Sequence, residues 1–164
     1  MGALLGEAAD KHPGLSGFSL LEHAENGFLA RLALIDLAEK SLDAQYYIWS
    51  ADTTGRILAS RVLRAADRGV RVRLLIDDHY QTQDRDFVLA GLDGHPNIEV
   101  RLFNPITNRF WRTLSFLADF RRVNHRMHNK LLVMDNAVAI LGGRNIGDVY
   151  FGVKKEHNYR DLDV

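Results

Sequence analysis

Short β-favouring runs alternate with stretches of helical spacing over the first hundred residues, and this alternation limits the fold more than any other feature. Apolar side chains at three- and four-residue intervals indicate helices, whereas runs of branched and aromatic residues indicate strands. Asp52, Thr53 or Thr54 can cap the second helix, and Gly69 can end it. The predicted elements are a helix over 25–40, a strand over 42–49, a helix up to 66, a strand over 70–76, a helix over 84–92 and a strand over 98–103.

This alternation predicts an α/β fold. Strands joined through helices lie mostly parallel, with the helices on the faces of the sheet. A chain of 164 residues is the size of a single domain, here residues 1–164. The last four residues, 161–164, look like the opening of another strand, so we expect the sequence to be part of a longer protein.

The charge balance and the absence of cysteine exclude several functions. Lys plus Arg and Asp plus Glu are both 21, and a neutral chain is a poor match for nucleic acid. Without cysteine there is no disulfide framework and no thiolate metal site. The first 15 residues show no signal-peptide pattern, and no window reaches the roughly 18 apolar residues of a membrane span. We expect a cytoplasmic protein.

A second pattern follows residue 120. The short apolar runs 130–134 and 137–141 are separated by Asp135 and Asn136, which both tolerate positive φ, so the sequence predicts a β-hairpin. Because side chains alternate along a strand, His128 and Lys130 point to the same side. Asp135 lies in the turn, and we interpret it as a brace for the hairpin.

The residue types on this hairpin are suited to phosphate chemistry. An imidazole can act as a nucleophile, and a neighbouring ammonium group can stabilise the charge on phosphate oxygens. The second strand brings Asn145 to the same end, where its amide can donate to phosphate, and Gly142 and Gly143 allow a close approach of the backbone to a ligand. A nucleophilic histidine also needs an acceptor for its other nitrogen. Asp161 is the first candidate for that acceptor, and Asp163 is the second.

These residues form the pattern H-x-K-x4-D, followed by Gly-Gly-x-Asn, and with it the chain resembles the phospholipase D superfamily. The segments 18–21, 42–49, 69–75, 126–130 and 142–151 resemble the first half of bacterial cardiolipin synthases, especially the C-type branch. The resemblance implies a mixed β-sheet flanked by helices on both faces. It also implies that His128, Lys130, Asp135, Asn145 and Asp161 belong to the catalytic motif.

The implied reaction is phosphodiester transfer through a phosphohistidine, without a metal or other cofactor. The substrate would be a phospholipid such as phosphatidylglycerol, met at the surface of the inner membrane. Active sites of this superfamily combine two such motifs, and this sequence has one. The missing motif would come either from the second half of a longer chain or from a homodimer partner. Hydrolysis and transfer to an alcohol both remain open, as does the choice of His128 as nucleophile or general acid.

Four further functional interpretations are weaker. A dimeric single-motif phosphodiesterase or endonuclease is the main alternative, and a non-catalytic supporting half is another. Asp77 and Asp78, at the end of the second strand, could bind a metal. Residues 106–120 place aromatic side chains beside arginines, a composition that favours the membrane interface, but a segment packed on the sheet would suit it equally.

Overall fold

The computed structural model describes residues 11–79, 82–106, 124–154 and 156–164. This part of the chain contains three helices, five strands and a short 3-10 helix, Asp148–Tyr150. In chain order the elements are α1 (Ala24–Leu37), β1 (Ser41–Tyr46), α2 (Thr53–Asp67), β2 (Arg71–Asp77), α3 (Gln83–Asp93), β3 (Ile98–Phe103), β4 (Lys130–Met134) and β5 (Val138–Leu141). Each helix and strand predicted between residues 25 and 141 is therefore found, with shifts of up to three residues at its ends. At 161–164, where another strand was expected to open, Asp163 makes isolated bridges to Leu21 and Gly142.

The five strands form one mixed sheet in the order β3-β2-β1-β4-β5. Strands β1, β2 and β3 are parallel, while β4 is antiparallel to both β1 and β5. The expectation of an α/β fold with a mixed sheet is confirmed. Asp135 and Asn136 both adopt positive φ between β4 and β5, as the predicted hairpin requires.

The three helices pack on one face of the sheet. Alternate residues of the central strands, such as Leu42, Ala44 and Val72, are almost fully buried there against Ile35 and Leu58 of the helices. This apolar layer is the core of the domain, and burial of that surface is the main driving force for folding.

The opposite face carries charged side chains. Asp43 of β1 lies beside Arg73 of β2, with Arg73 Nη2 2.7 Å from Asp43 Oδ2, and Arg101 pairs with Glu99 on β3. Within the described residues, therefore, helices cover one face, whereas the resemblance implied helices on both. The physical reason is that these polar side chains do not require an apolar layer over them.

A buried charge cluster joins the last described residues to helix α1 and to the segment that follows β5. The carboxylate of Asp163 accepts hydrogen bonds from Arg31 Nη1 at 2.9 Å and Arg144 Nη1 at 3.1 Å, and all three side chains are buried. Arg31 Nε also donates to the hydroxyl of Tyr46 at 3.1 Å. Arg144 Nη1 donates to the carbonyl of Leu21 at 2.7 Å. Asp163 and its two arginines thus hold helix α1, the segment after β5 and the residues just before α1 together.

The buried cluster generates a prediction about stability. Asp163→Ala should lower the free energy of unfolding by about 3–5 kcal/mol, because two buried guanidinium groups lose their counter-charge. The exposed pair Arg61–Asp36 is the matched control, and Asp36→Ala should cost no more than about 1 kcal/mol. Urea unfolding followed by circular dichroism measures both changes. A loss for Asp163→Ala no larger than that for Asp36→Ala would contradict the stabilising role of the cluster.

Candidate active site

The candidate site lies where the carboxyl end of β1 meets the amino end of β4. Tyr46 is paired with Lys130 across these antiparallel strands. The pairing continues past the end of β1, because the amide of Tyr47 donates to the carbonyl of Asn129 at 3.1 Å. The next amide, that of Ile48, donates to Oδ1 of Asn145 at 3.0 Å. Three segments that are distant in sequence are thus joined within three consecutive residues of one strand end.

His128 and Lys130 lie on the same side of this junction. The imidazole of His128 is exposed, and its ring centroid lies 4.7 Å from that of Tyr47 in an edge-to-face arrangement. The ammonium group of Lys130 lies 5.4 Å from the centroid of the same tyrosine ring. Lys130 Nζ also donates to the carbonyl of His128 at 2.7 Å. The structure therefore brings together the imidazole and the cation that strand alternation placed on one side.

Lys130 is buried to 7% exposure, which is uncommon for a lysine. Burial lowers its pKa, and the nearby carboxylate of Asp161 acts in the opposite direction. The Asp161 side chain packs directly over Gly143. Asp161 and His128, both described by the structure, form no hydrogen bond with each other. The structure therefore places Asp161 at the site through Lys130, and its role as the partner of a histidine stays a prediction.

Asn145 is 3% exposed and is held at both ends of its amide. Its Oδ1 accepts from Ile48, and its Nδ2 donates to the hydroxyl of Tyr150 at 3.0 Å. A primary amide has two N–H groups, so the side chain can donate a second hydrogen bond. Asn145 is thus held rigidly beside the end of β1, and its role as a phosphate donor stays a prediction.

Gly142 and Gly143 allow close packing against residues 161–163, whereas the sequence suggested a close approach to a ligand. A Cβ atom at residue 142 would collide with the backbone at Leu162 and Asp163, and one at residue 143 would collide with the side chain of Asp161. Both glycines thus allow the last described residues to pack beside β5. Their described neighbours belong to the chain itself, so the expected close approach to a ligand is not what requires glycine here.

The prediction that Asp163 could be the acceptor for the second nitrogen of His128 is wrong. The two carboxylate oxygens of Asp163 accept hydrogen bonds from the side chains of Arg31 and Arg144 and from the backbone amide of Arg144. The side chain is buried in the charge cluster. Its lone pairs are used for structure, so Asp163 is not positioned to hold His128.

Asp135 fixes the backbone before β1. Its carboxylate accepts hydrogen bonds from the amides of Glu39 at 3.0 Å, Lys40 at 2.8 Å and Ser41 at 2.8 Å. Burial acts to raise the pKa of Asp135, but these amides outweigh it and the pKa lies below its ordinary value. The interpretation of Asp135 as a structural member of the motif agrees with this geometry.

Asp77 and Asp78 also bind backbone amides. Asp77 accepts from the amides of His79 and Met127, both at 2.8 Å, and from Arg126 Nη1 at 3.1 Å. Asp78 accepts from the amide of Ile106 at 2.5 Å. No group of three or more metal-ligating side chains occurs in the ranges the structure describes. Asp77 instead anchors the segment that leads into His128, which makes the metal interpretation of this pair unnecessary.

Two features of the site were missed in the sequence. Tyr47 contacts both His128 and Lys130, although an aromatic residue in this run is most simply interpreted as core, as Tyr46 and Trp49 are. Arg144 lies within the Gly-Gly-Arg-Asn motif and serves the buried charge cluster. For Tyr47, strand alternation could have given the signal, since it points away from its buried neighbour Tyr46. The segment 107–120, predicted as a possible membrane contact, lies outside the described residues.

Comparison with known proteins identifies the family. The sequence profile described as cardiolipin synthase, PLD-like domain, matches residues 32–162. The chain belongs to this family. It is 53% identical over 154 residues to cardiolipin synthase C of Escherichia coli K12, a match that covers 94% of this chain and 32% of that protein. It is 31% identical over 144 residues to a cardiolipin synthase of Oceanobacillus iheyensis, covering 88% of this chain and 28% of the relative. The chain thus spans about a third of the length of such relatives.

Solved structures of the phospholipase D family share the fold of this domain. NucT from Helicobacter pylori superposes with a TM-score of 0.64 at 19% identity, over 88% of this chain and 81% of that one. Nuc from Salmonella typhimurium, a phospholipase D family member, gives 0.62 at 17% identity, over 88% and 80%. A phosphatidylserine synthase from Haemophilus influenzae gives 0.66 at 18% identity, over 89% of this chain and 33% of that one. At such identities the similarity shows the fold alone.

The matching profile describes a PLD-like domain, so the family is one of phospholipase-D-type enzymes. Among the residues described, none of the helices combines the length and the apolar character needed to cross a membrane.

The contrast between Asp135 and Lys130 gives a second prediction. Asp135→Ala should lower the free energy of unfolding by about 1–3 kcal/mol at neutral pH, because three backbone amides lose their acceptor. Lys130→Met should leave that free energy nearly unchanged, since the apolar stem still packs while the buried charge is removed. Thermal and urea unfolding of the two variants measure the difference. Equal losses in both would show that Asp135 is not the brace.

The pH dependence of the stability of Asp135→Ala tests whether the ionised carboxylate is what stabilises the fold. Because the folded pKa of Asp135 is depressed, its contribution is complete above the unfolded value of about 4 and is lost as pH falls through the folded pKa. The stability difference between the wild-type chain and Asp135→Ala should therefore be constant from about pH 5 to 7 and shrink in more acid solution. A difference that grows on acidification would contradict this account.

Proposed function

We propose that this chain supplies one half of a phospholipase-D-type active site that transfers a phosphatidyl group by way of a phosphohistidine at His128. The observation that carries the proposal is the convergence of His128, Lys130 and Asn145 at one strand junction. An exposed imidazole, a partly buried ammonium group and a fixed amide donor are the components of a site that attacks phosphorus while it stabilises the phosphate oxygens.

The proposed reaction has two displacements at phosphorus. A ring nitrogen of His128 forms a bond to phosphorus, and the bond from phosphorus to the leaving alcohol breaks. A second histidine gives its proton to that alcohol. An acceptor hydroxyl then loses its proton to the second histidine and bonds to phosphorus, which releases His128. Lys130 and Asn145 bind the non-bridging oxygens in both steps. The roles of the two histidines can be exchanged between this half and the other.

The second histidine would come from a second motif outside this sequence. That motif could lie in the same longer chain or in a partner copy related by a two-fold axis. The size of the relatives supports the first arrangement, because the chain spans only 32% of cardiolipin synthase C. In either arrangement the function belongs to the assembled pair, and the isolated half can be inactive toward substrates whose leaving group must be protonated.

The proposed substrates are phospholipids at a membrane surface. Identity of 53% with a cardiolipin synthase supports phosphatidylglycerol as the donor and a second phospholipid as the acceptor. A chain without net charge offers no general attraction for a polyanion such as nucleic acid. We propose that the domain acts peripherally, on the cytoplasmic side of the inner membrane.

A second candidate is a homodimeric phosphodiesterase that acts on nucleic acid. The chain aligns with 81% of NucT and 80% of Nuc, a similar domain size. At 17–19% identity these similarities are evidence for the fold alone. The balance of 21 basic and 21 acidic residues argues against nucleic acid as the substrate. Phospholipid transfer is therefore the preferred function.

Replacement of the proposed nucleophile tests the function. His128→Ala in the complete two-motif protein should reduce phosphatidyl transfer by about 10⁴-fold or more, because residues that act as a unit fail together. His157→Ala, an exposed histidine on the surface, is the matched control and should retain wild-type turnover. Cardiolipin formation from labelled phosphatidylglycerol in vesicles, with EDTA present, is the measurement.

Two results would count against the proposal. A tenth or more of the activity remaining in His128→Ala, with the same lipid, would exclude His128 from the chemistry. Activity abolished by EDTA and restored by a divalent ion would require a metal that the proposed reaction does not use.

A further inference from the structure

Tyr47 occupies the centre of the candidate site. Its ring contacts the imidazole of His128 edge-to-face at 4.7 Å, and it contacts the ammonium group of Lys130 at 5.4 Å. Both distances lie within the range in which an aromatic ring attracts another ring or a cation. Among the ring contacts of the described residues, the partner of the His128 imidazole is Tyr47.

The tyrosine is itself held firmly in position. Its backbone amide donates to the carbonyl of Asn129, the residue between His128 and Lys130. Its ring also stacks on His79, with ring centroids 6.2 Å apart and planes 11° apart. The three rings of His79, Tyr47 and His128 therefore follow one another across the ends of β2, β1 and β4.

One carboxylate fixes both ends of this row of rings. Asp77, which is fully buried, accepts from the amide of His79 and from the amide of Met127, the residue before His128. It also accepts from Arg126. The backbone at His79 and the backbone just before His128 are thus tied to the same carboxylate, which fixes the two chain segments beside Tyr47.

We propose that Tyr47 is a positioning residue that holds the imidazole of His128 and the ammonium group of Lys130 in one fixed arrangement. His128 lies on the segment before β4, is exposed to solvent, and would otherwise be free to change its rotamer. A ring beside it restricts the imidazole, and the electron-rich face of that ring attracts the lysine cation. The proposal rests on the proposed function, in which both groups must meet the same phosphate.

Such positioning matters because displacement at phosphorus needs the attacking nitrogen in line with the leaving group. A small misplacement of a reacting group is costly even where the group itself is intact. The aromatic ring, and not the hydroxyl group, provides both contacts. Tyr47→Phe is therefore the conservative variant, and Tyr47→Leu and Tyr47→Met are the disruptive ones.

The test uses the chain labelled at histidine and lysine and follows the imidazole of His128 by NMR relaxation, with inorganic phosphate as the probe ligand. In the wild-type chain and in Tyr47→Phe, the His128 ring should be more ordered than the ring of the exposed His157. In Tyr47→Leu and Tyr47→Met its order should fall to that of His157. The dissociation constant for phosphate, followed at His128 and Lys130, should rise by about two- to fivefold, the size of an exposed cation–π contact.

Controls separate positioning from folding and from the proposed function. Phe87→Leu, which replaces an exposed aromatic residue on α3, should change neither measurement. Two disruptive variants are used because the unbranched, flexible side chain of Met fills a vacated space differently from the branched side chain of Leu, and thermal melting identifies the folded ones. Unchanged order of His128 in a folded disruptive variant would overturn the role of Tyr47. If phosphate leaves the wild-type signals of His128 and Lys130 unchanged, the proposed function fails, while the order of the ring still decides the role of Tyr47.

Discussion

The antiparallel pairing of β1 with β4 is the constraint on which the site depends. It reverses the direction of the chain relative to the parallel strands β1, β2 and β3, and so brings the start of β4 to the end of β1. In parallel sheets, ligands are bound beyond the carboxyl ends of the strands, where loops diverge. The reversed strand adds His128 and Lys130 to that same edge. Asn145 reaches the same edge because β5 runs antiparallel to β4. Its side-chain oxygen then accepts a hydrogen bond from the backbone amide of Ile48.

Carboxylates fix the backbone around β1 and β4 by binding backbone amides, and those of Asp77, Asp148 and Asp163 are buried. Asp135 holds the start of β1, and Asp77 holds the segment before His128. Asp148 accepts from the amide of Thr54 at the start of α2, and its pKa is lowered because the hydrogen bonds outweigh the burial that raises it. Asp163 joins the residues after β5 to α1. Carboxylates that accept several amide bonds cost little to bury and fix loops precisely enough for a preorganised site.

Much of the fold and part of the site could be predicted from the sequence because their signals are local. Period-two and helical patterns located the elements, and the hairpin turn placed His128, Lys130 and Asn145 at one end. Tyr47 could not be assigned, since its partners are distant in sequence and an aromatic residue in a strand usually packs in a core. Asp163 shares its parity with Asp161, and only the positions of Arg31 and Arg144 separate the structural carboxylate from the one beside Lys130.

The central claim is that His128 is the group that bonds to phosphorus. The most direct test mixes the chain with bis(4-nitrophenyl) phosphate, whose leaving group needs no proton from a second histidine, and identifies the modified residue by mass spectrometry under alkaline quench. The account predicts an aryl phosphate on His128 that is absent from His128→Ala and reduced in Lys130→Met. Release of nitrophenol without any adduct on His128, or an adduct on another histidine such as His79 or His125, would contradict it.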